Sequence, residues 1–296
     1  MPTTHRPGYE ATPTPLIAVD WGTTNRRIHV VEQDREPVAS ADSRGVTSLS
    51  GDDYAREVAA IRARVGDHPM LLGGMVGSSL GWRDAGYVDL PARLDRLAEA
   101  LIWIDPRTSI VPGVAQADPA DVMRGEEVQF LGAVHAGLAP ADARLCQPGT
   151  HCKWARMAGG ALASFTTAMT GEMFAMMRDH SLIGRDMIAP VEADAHFDEG
   201  VRAAAEGDLL AALFASRPAV LLGRRPREGV ASFVSGLLIG ADCRAHAGDG
   251  PVHLLADAAL GSLYGAALRA LGVEVVHVDS NAAFVAGMRR IWELSR

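Results

Sequence analysis

Residues 16–32 read LIAVDWGTTNRRIHVVE: two apolar runs with about six residues between them. That spacing constrains the fold more than any other feature of the chain. Two parallel strands need a crossover of a dozen or more residues, usually a helix, so strands this close must pair as an antiparallel hairpin. The first run, 16–20, ends in Asp20, and the second covers 27–32. The turn between them carries Gly22, Thr23, Thr24 and Asn25, and so supplies a glycine, two hydroxyls and an amide. A second hairpin with a Gly-Thr turn is expected at 143–157, ARLCQPGTHCKWARM, where Gly149 and Thr150 occupy the turn and Lys153 follows. The recurrence reads as a structural pseudo-repeat.

Alternating patterns fill the rest. Helical spacing covers 54–65, a buried strand opens 68–82, and 101–115 reads as two short strands turned at its prolines. Residues 124–138 form a helix with an acidic pair in its first turn, where the helix end is positive. Residues 164–184 give a strand, a turn and a helix from about Thr170, and 228–245 a buried helix. The segments 252–257, 258–272, 273–278 and 281–294 alternate strand and helix, the signature of α/β layers. The expected organisation is a loose tail over 1–15, one lobe over 16–130 and a second over 131–296.

With 296 residues, 48% of them hydrophobic, the chain suits one large α/β domain or two smaller ones. The net charge is −8, and no basic run marks a nucleic-acid surface. Local lysines and arginines still allow an anionic small molecule. Three cysteines, an odd number without a CxxC pair, fit a reducing compartment. No basic segment leads into a long apolar run, and VSGLLIGA at 234–241 is too short to span a bilayer, so a cytoplasmic protein with no membrane partner is expected.

The two turns point to phosphate chemistry. Glycine lets backbone N–H groups converge on one space, and the hydroxyls add donors. Facing turns of this kind suit a polyphosphate, with Asp20 as a ligand of Mg²⁺ held mostly through water, and Lys153 neutralising a phosphoryl group in transfer. Neither GxxxxGK[ST] nor a strand-to-helix GxGxxG is present, so neither a P-loop nor a dinucleotide fold is indicated. A phosphoryl acceptor needs a base: Glu126, then Glu127, are the candidates, although first-turn glutamates also stabilise helices while merely solvated. Arg124 is an unfavourable cation at a helix start and is a candidate for an anionic substrate. The tight loop GGMVGSSLGW supplies Gly77, Ser78 and Ser79, with Arg83 just beyond it, as candidate substrate contacts.

Eight blocks carry a resemblance: AVDWGTTNRR, GGMVGSSLGW, VMRGEEVQFLGA, PGTHCKW, FTTAMTGEMF, HSLIG, SGLLIGAD and NAAFVAG. In this order, and over nearly the whole chain, they resemble the 2-dehydro-3-deoxygalactonokinase family of sugar-acid kinases. That resemblance implies an α/β, two-lobed actin-like ATPase fold with a ribonuclease-H-like core in each lobe and ATP in the interlobe cleft. DWGTTN would be the first phosphate motif, PGTHCKW the second, and 252–264, with Gly236 nearby, the adenosine motif. The implied reaction moves the γ-phosphoryl group of ATP to the 6-hydroxyl of 2-dehydro-3-deoxy-D-galactonate. Glu126 would stand where related sugar kinases carry an aspartate base. One position departs from the family pattern: Asp257 stands where glycine is usual, so that it either crowds the nucleotide or hydrogen-bonds its ribose. Same-fold kinases of other sugars or sugar acids, and a nucleotide-binding regulator without transfer activity, are the alternatives. The oligomeric state is not fixed by the sequence, and a homo-oligomer is compatible with it.

Overall fold

The structure, a computed structural model, describes residues 15–32 and 37–296. The tail expected at 1–15 therefore lies, but for its last residue, outside the described residues. In chain order the elements are β1 (Leu16–Trp21), β2 (Arg26–Val31), β3 (Val38–Asp42), α1 (Asp53–Val65), β4 (Met70–Gly73), β5 (Tyr87–Asp89), α2 (Leu94–Glu99), β6 (Ile102–Asp105), β7 (Thr108–Ile110), β8 (Gly113–Gln116), β9 (Asp121–Met123) and α3 (Glu126–His135). They continue with β10 (Arg144–Gln147), β11 (Cys152–Ala158), β12 (Ala161–Ala168), α4 (Thr170–His180), α5 (Ala195–Ala203), α6 (Leu209–Leu221), α7 (Val230–His246), β13 (Val252–Leu255), α8 (Ala258–Ala270), β14 (Val275–Val278) and α9 (Ser280–Leu294).

The chain divides into two compact units. One comprises the chain up to Ala141 together with Ala158–Ser164 and Ser280–Arg296; the other comprises Asp142–Met157 and Phe165–Asp279. The boundary expected between 130 and 131 falls inside α3, a single unbroken helix. The last helix, α9, belongs to the first unit because it packs along α3. Their backbones meet directly: a Cβ on Gly132 would overlap the Ala283 carbonyl oxygen, and one on Gly287 would overlap that of Val128.

The first unit is built on a sheet ordered β3-β2-β1-β4-β7-β6. The expected hairpin is there: β1 and β2 pair antiparallel with Asp20 opposite Arg27, while β4 runs parallel to β1 and β7 parallel to β4. Being central, β1 is buried on both faces, which explains its nearly continuous apolar run. On one face, Ile17, Val19 and Trp21 pack with Tyr54, Val58 and Ile61 of α1, spaced as one helical stripe. Each such buried side chain contributes about 1.5–3 kcal/mol. A second sheet, ordered β12-β11-β10-β13-β14, repeats the pattern, again with an antiparallel hairpin, β10–β11, and with β13 parallel to β10.

Residues 101–115 hold three strands where two were expected. The third, β8, leaves the main sheet for a small one ordered β5-β8-β9. Helices α5 and α6 had no sequence expectation; α6 is apolar on nearly every side and so lacks the periodicity that marks a helix. The three cysteines are buried and unbridged. Among the described residues no helix is long and apolar enough to cross a membrane.

Candidate active site

In the first unit, three glycine-bearing segments bring the candidate residues together. Asp20 is the penultimate residue of β1, and the GTTN turn leaves the Thr23, Thr24 and Asn25 side chains exposed. The turn closes on itself through a Gly22 N–H to the Asn25 carbonyl at 2.9 Å. It is braced from behind: Val46 and Thr47 donate backbone N–H groups to the Gly22 and Thr23 carbonyls. Beyond β4, Gly74 takes φ 87°, a left-handed conformation that glycine adopts freely, and a Cβ there would press on the Trp21 carbonyl and lie 3.4 Å from the Asp20 carboxylate. Gly125, at φ 109°, lies against Gly74 in turn and starts α3. The end of β1, the loop after β4 and the head of α3 thus form one contiguous site.

Burial pushes the Asp20 carboxyl above its usual range, and among the described residues its side-chain ion partner is the exposed Arg27 at 3.3 Å. An incompletely compensated carboxylate beside exposed hydroxyls is a fitting donor for a hydrated divalent cation.

The two glutamates separate sharply. Glu126 is half-buried and accepts the Arg124 backbone N–H at 3.1 Å. Glu127 is fully buried: its Oε2 accepts the Gly125 N–H at 2.6 Å, and its Oε1 has no hydrogen-bond partner among the described residues. Burial, reinforced by the neighbouring Glu126 charge, pushes Glu127 up to about 8.

The expected substrate contacts divide as well. Ser79 and Arg83 are exposed. Ser78 differs from the expected free donor: its hydroxyl donates to the Met75 carbonyl at 2.7 Å and accepts the Leu80 N–H, so it closes its own turn. Gly77 is buried, with room for no side chain between Ile110 and Arg124. The Arg124 side chain, expected to face an anion, is only 5% exposed. It donates to the Gly86 carbonyl at 3.0 Å and lies over the Tyr87 ring, while Nε and Nη1 are buried with no hydrogen-bond partner among the described residues.

In the second unit the β10–β11 turn presents Gly149 and Thr150. The first turn of α4 docks directly on it: Glu172 donates its N–H to the Thr150 carbonyl at 2.8 Å, and Gly171 packs where any Cβ would overlap the Gly149 carbonyl. Lys153, expected beside phosphates, is buried, and its Nζ donates to Thr167 Oγ1 at 2.7 Å. Behind the turn lies a cavity of about 200 Å³ whose lining includes Gly149, Gly171, Phe174, Ile239, Leu263 and Tyr264. Its walls are held by the buried Asp242 of α7, which accepts from Thr170 Oγ1 at 2.8 Å, Tyr264 Oη at 2.9 Å and Trp154 Nε1 at 2.8 Å. Sequence reasoning singled out FTTAMTGEMF and SGLLIGAD but assigned no role to Gly171 or Asp242.

Two expected nucleotide residues have structural explanations. Asp257 is the N-cap of α8, its Oδ1 accepting the Leu260 N–H at 2.9 Å. Gly236 lies in α7 where α5 crosses it, and a Cβ would overlap the Phe197 carbonyl.

Comparison with known proteins identifies the family. The sequence profile of the 2-keto-3-deoxy-galactonokinase family matches residues 20–291. A 2-dehydro-3-deoxygalactonokinase of Escherichia coli (strain K12) is 36% identical, over 93% of this chain and 96% of that one. A crystal structure from Sinorhizobium meliloti, described as a candidate 2-dehydro-3-deoxygalactonokinase, superposes with a TM-score of 0.86 at 33% identity, over 94% of this chain and 96% of that one. At 12% identity, an activator of 2-hydroxyisocaproyl-CoA dehydratase from Clostridium difficile shares the fold, with a TM-score of 0.51 over 95% of both chains. The fold is of the actin-like ATPase type, with mixed α/β sheets.

Proposed function

The chain belongs to the 2-keto-3-deoxy-galactonokinase family, and on that premise we propose that it transfers the γ-phosphoryl group of ATP to the 6-hydroxyl of 2-dehydro-3-deoxy-D-galactonate. The observation that carries the nucleotide half of this reading is the cavity behind the Gly149–Thr150 turn. Its apolar walls suit a nucleoside base. Thr170 and Gly171 of its lining belong to the first turn of α4, a helix N-terminus whose dipole favours phosphate. Asp257 caps α8, a structural role that accounts for an aspartate at this position.

In the transfer, the substrate oxygen forms a bond to the γ-phosphorus as the bond from phosphorus to the β,γ-bridging oxygen breaks, releasing ADP. The hydroxyl proton passes to a carboxylate. Glu126 is the assigned acceptor, because its carboxylate is partly open to solvent, whereas Glu127 is sealed and its raised pKa keeps it protonated at neutral pH. Mg²⁺ would be held by Asp20 through water and would neutralise charge on the phosphates. Thr23, Thr24 and Asn25 extend exposed donors beside it. Ser79 and Arg83 are the reachable groups of the 73–83 loop and are assigned to the sugar acid, with Arg83 meeting its carboxylate.

A coupled ADP-release assay across a panel of 2-keto-3-deoxy sugar acids and neutral sugars tests the proposal. The highest kcat/KM is expected with 2-dehydro-3-deoxy-D-galactonate. Equal turnover of neutral sugars would overturn the substrate assignment, and nucleotide binding without turnover of any panel member would overturn the activity.

A further inference from the structure

One carboxylate in the second unit takes hydrogen bonds from three separate elements. Asp242 lies on α7 with its side chain only 3% exposed. Its Oδ2 accepts the Thr170 hydroxyl of α4 at 2.8 Å and the Tyr264 hydroxyl of α8 at 2.9 Å, and its Oδ1 accepts Trp154 Nε1 of β11 at 2.8 Å. His246 Nε2, one turn along α7, stands 3.9 Å from Oδ1. The phosphoryl transfer described above uses none of these groups. Stability alone is a poor reason for a buried carboxylate, since well-packed apolar side chains of similar volume often hold a core as well or better. What the carboxylate adds is placement, because each hydrogen bond fixes its donor in both distance and angle.

Thr170 is where placement matters. It is the first residue of α4. The next, Gly171, lies where a Cβ would overlap the Gly149 carbonyl oxygen, and Glu172 donates its N–H to the Thr150 carbonyl at 2.8 Å. Thr170, Gly171, Tyr264 and Gly149 all line the cavity behind the turn. Asp242 thus reaches the Gly149–Thr150 turn through one hydroxyl and two residues of helix backbone. The bond to Thr170 sets the rotation of the first turn of α4 about its axis, and with it the seat of Gly171 on Gly149.

We propose that Asp242 is a positioning residue for the nucleotide phosphates: through Thr170 it holds the first turn of α4 against the Gly149–Thr150 turn, and so fixes the turn that meets them. This rests on the reading of the cavity as the nucleotide site. The chemistry of the three donors says which substitutions keep the arrangement. An indole N–H only donates, whereas a hydroxyl both donates and accepts. Asp242→Asn therefore preserves all three bonds, with the amide oxygen toward Trp154 and the NH₂ toward two hydroxyls that rotate to accept from it. Asp242→Ala preserves none. Thr170→Val keeps the shape of the side chain and removes its donor, while Thr170→Ser keeps the donor.

Titration calorimetry with ADP in the presence of Mg²⁺ tests this, because its two readouts separate placement from folding. Misfolded protein lowers the binding stoichiometry, whereas a displaced turn raises Kd at full stoichiometry. Thr170→Val and Asp242→Ala are each expected to raise Kd roughly tenfold, the scale of a lost hydrogen bond to a charged group. The two together are expected to do no more than Asp242→Ala alone, since the second residue acts through the first. Thr170→Ser and Asp242→Asn are expected to stay close to wild type. Thr170→Val carries the test where Asp242→Ala does not fold. Wild-type affinity of Thr170→Val at full stoichiometry overturns the proposal, as does binding by Asp242→Asn as weak as that by Asp242→Ala. Failure of the wild-type protein itself to bind ADP overturns the reading of the cavity, and this inference with it.

Discussion

Replacing Glu127 by glutamine should make the protein more stable, by an amount set by pH. Glu127 is fully buried, one oxygen bound to the Gly125 N–H and the other unpartnered, and its folded-state pKa is pushed from 4.5 to about 8. Below about pH 4.5 the carboxyl is protonated in both the folded and unfolded chains and contributes no pH dependence. Between about 4.5 and 8 the unfolded chain loses the proton while the folded chain keeps it. Folding then takes up a proton, and stability falls by about 1.4 kcal/mol per pH unit. The accumulated penalty is about 3 kcal/mol at pH 7 and about 5 kcal/mol above pH 8, where it levels off. Glutamine has the same shape, can still accept the Gly125 N–H and carries no ionisable group. Urea denaturation of both proteins from pH 5 to pH 9, about a unit apart, reads the difference directly. The two stabilities should diverge with rising pH, the variant on top. Parallel profiles would refute the reasoning, because they would mean that Glu127 ionises as readily in the folded chain as in the unfolded one.

Glu126→Gln should retain ATP and sugar-acid affinity by calorimetry while kcat falls by about 10²–10⁴-fold, the span of a positioned proton acceptor; full activity would leave the head of α3 without a chemical role. Asp20→Asn should lower kcat steeply in ADP release and abolish the response to added Mg²⁺, yet keep or raise the melting temperature, since it removes an under-compensated buried charge. Near-normal turnover at low Mg²⁺ would remove Asp20 from the metal site. Gly171→Ala forces a Cβ onto the Gly149 carbonyl and must displace the turn. It should weaken nucleotide binding by roughly tenfold, about 1.4 kcal/mol, in titration calorimetry, and an unchanged affinity would separate that turn from the nucleotide.

What the sequence determined by itself was local. The short link after Asp20 required a hairpin, Gly-Thr turns recurred in a second one, and periodicity placed α1, α3, α7 and α9, because each of these signals is carried by residues a few positions apart. Burial was decided only by the tertiary structure. Glu126 and Glu127 are adjacent in sequence and chemically identical, but about 100° apart around α3, and the fold buries one completely and leaves the other partly open. In the same way Ser78 turned inward, Arg124 went under Tyr87, and Gly171 was pressed against Gly149. Those outcomes depend on which backbones meet across the fold, and long-range contact of that kind leaves no period in the sequence to read.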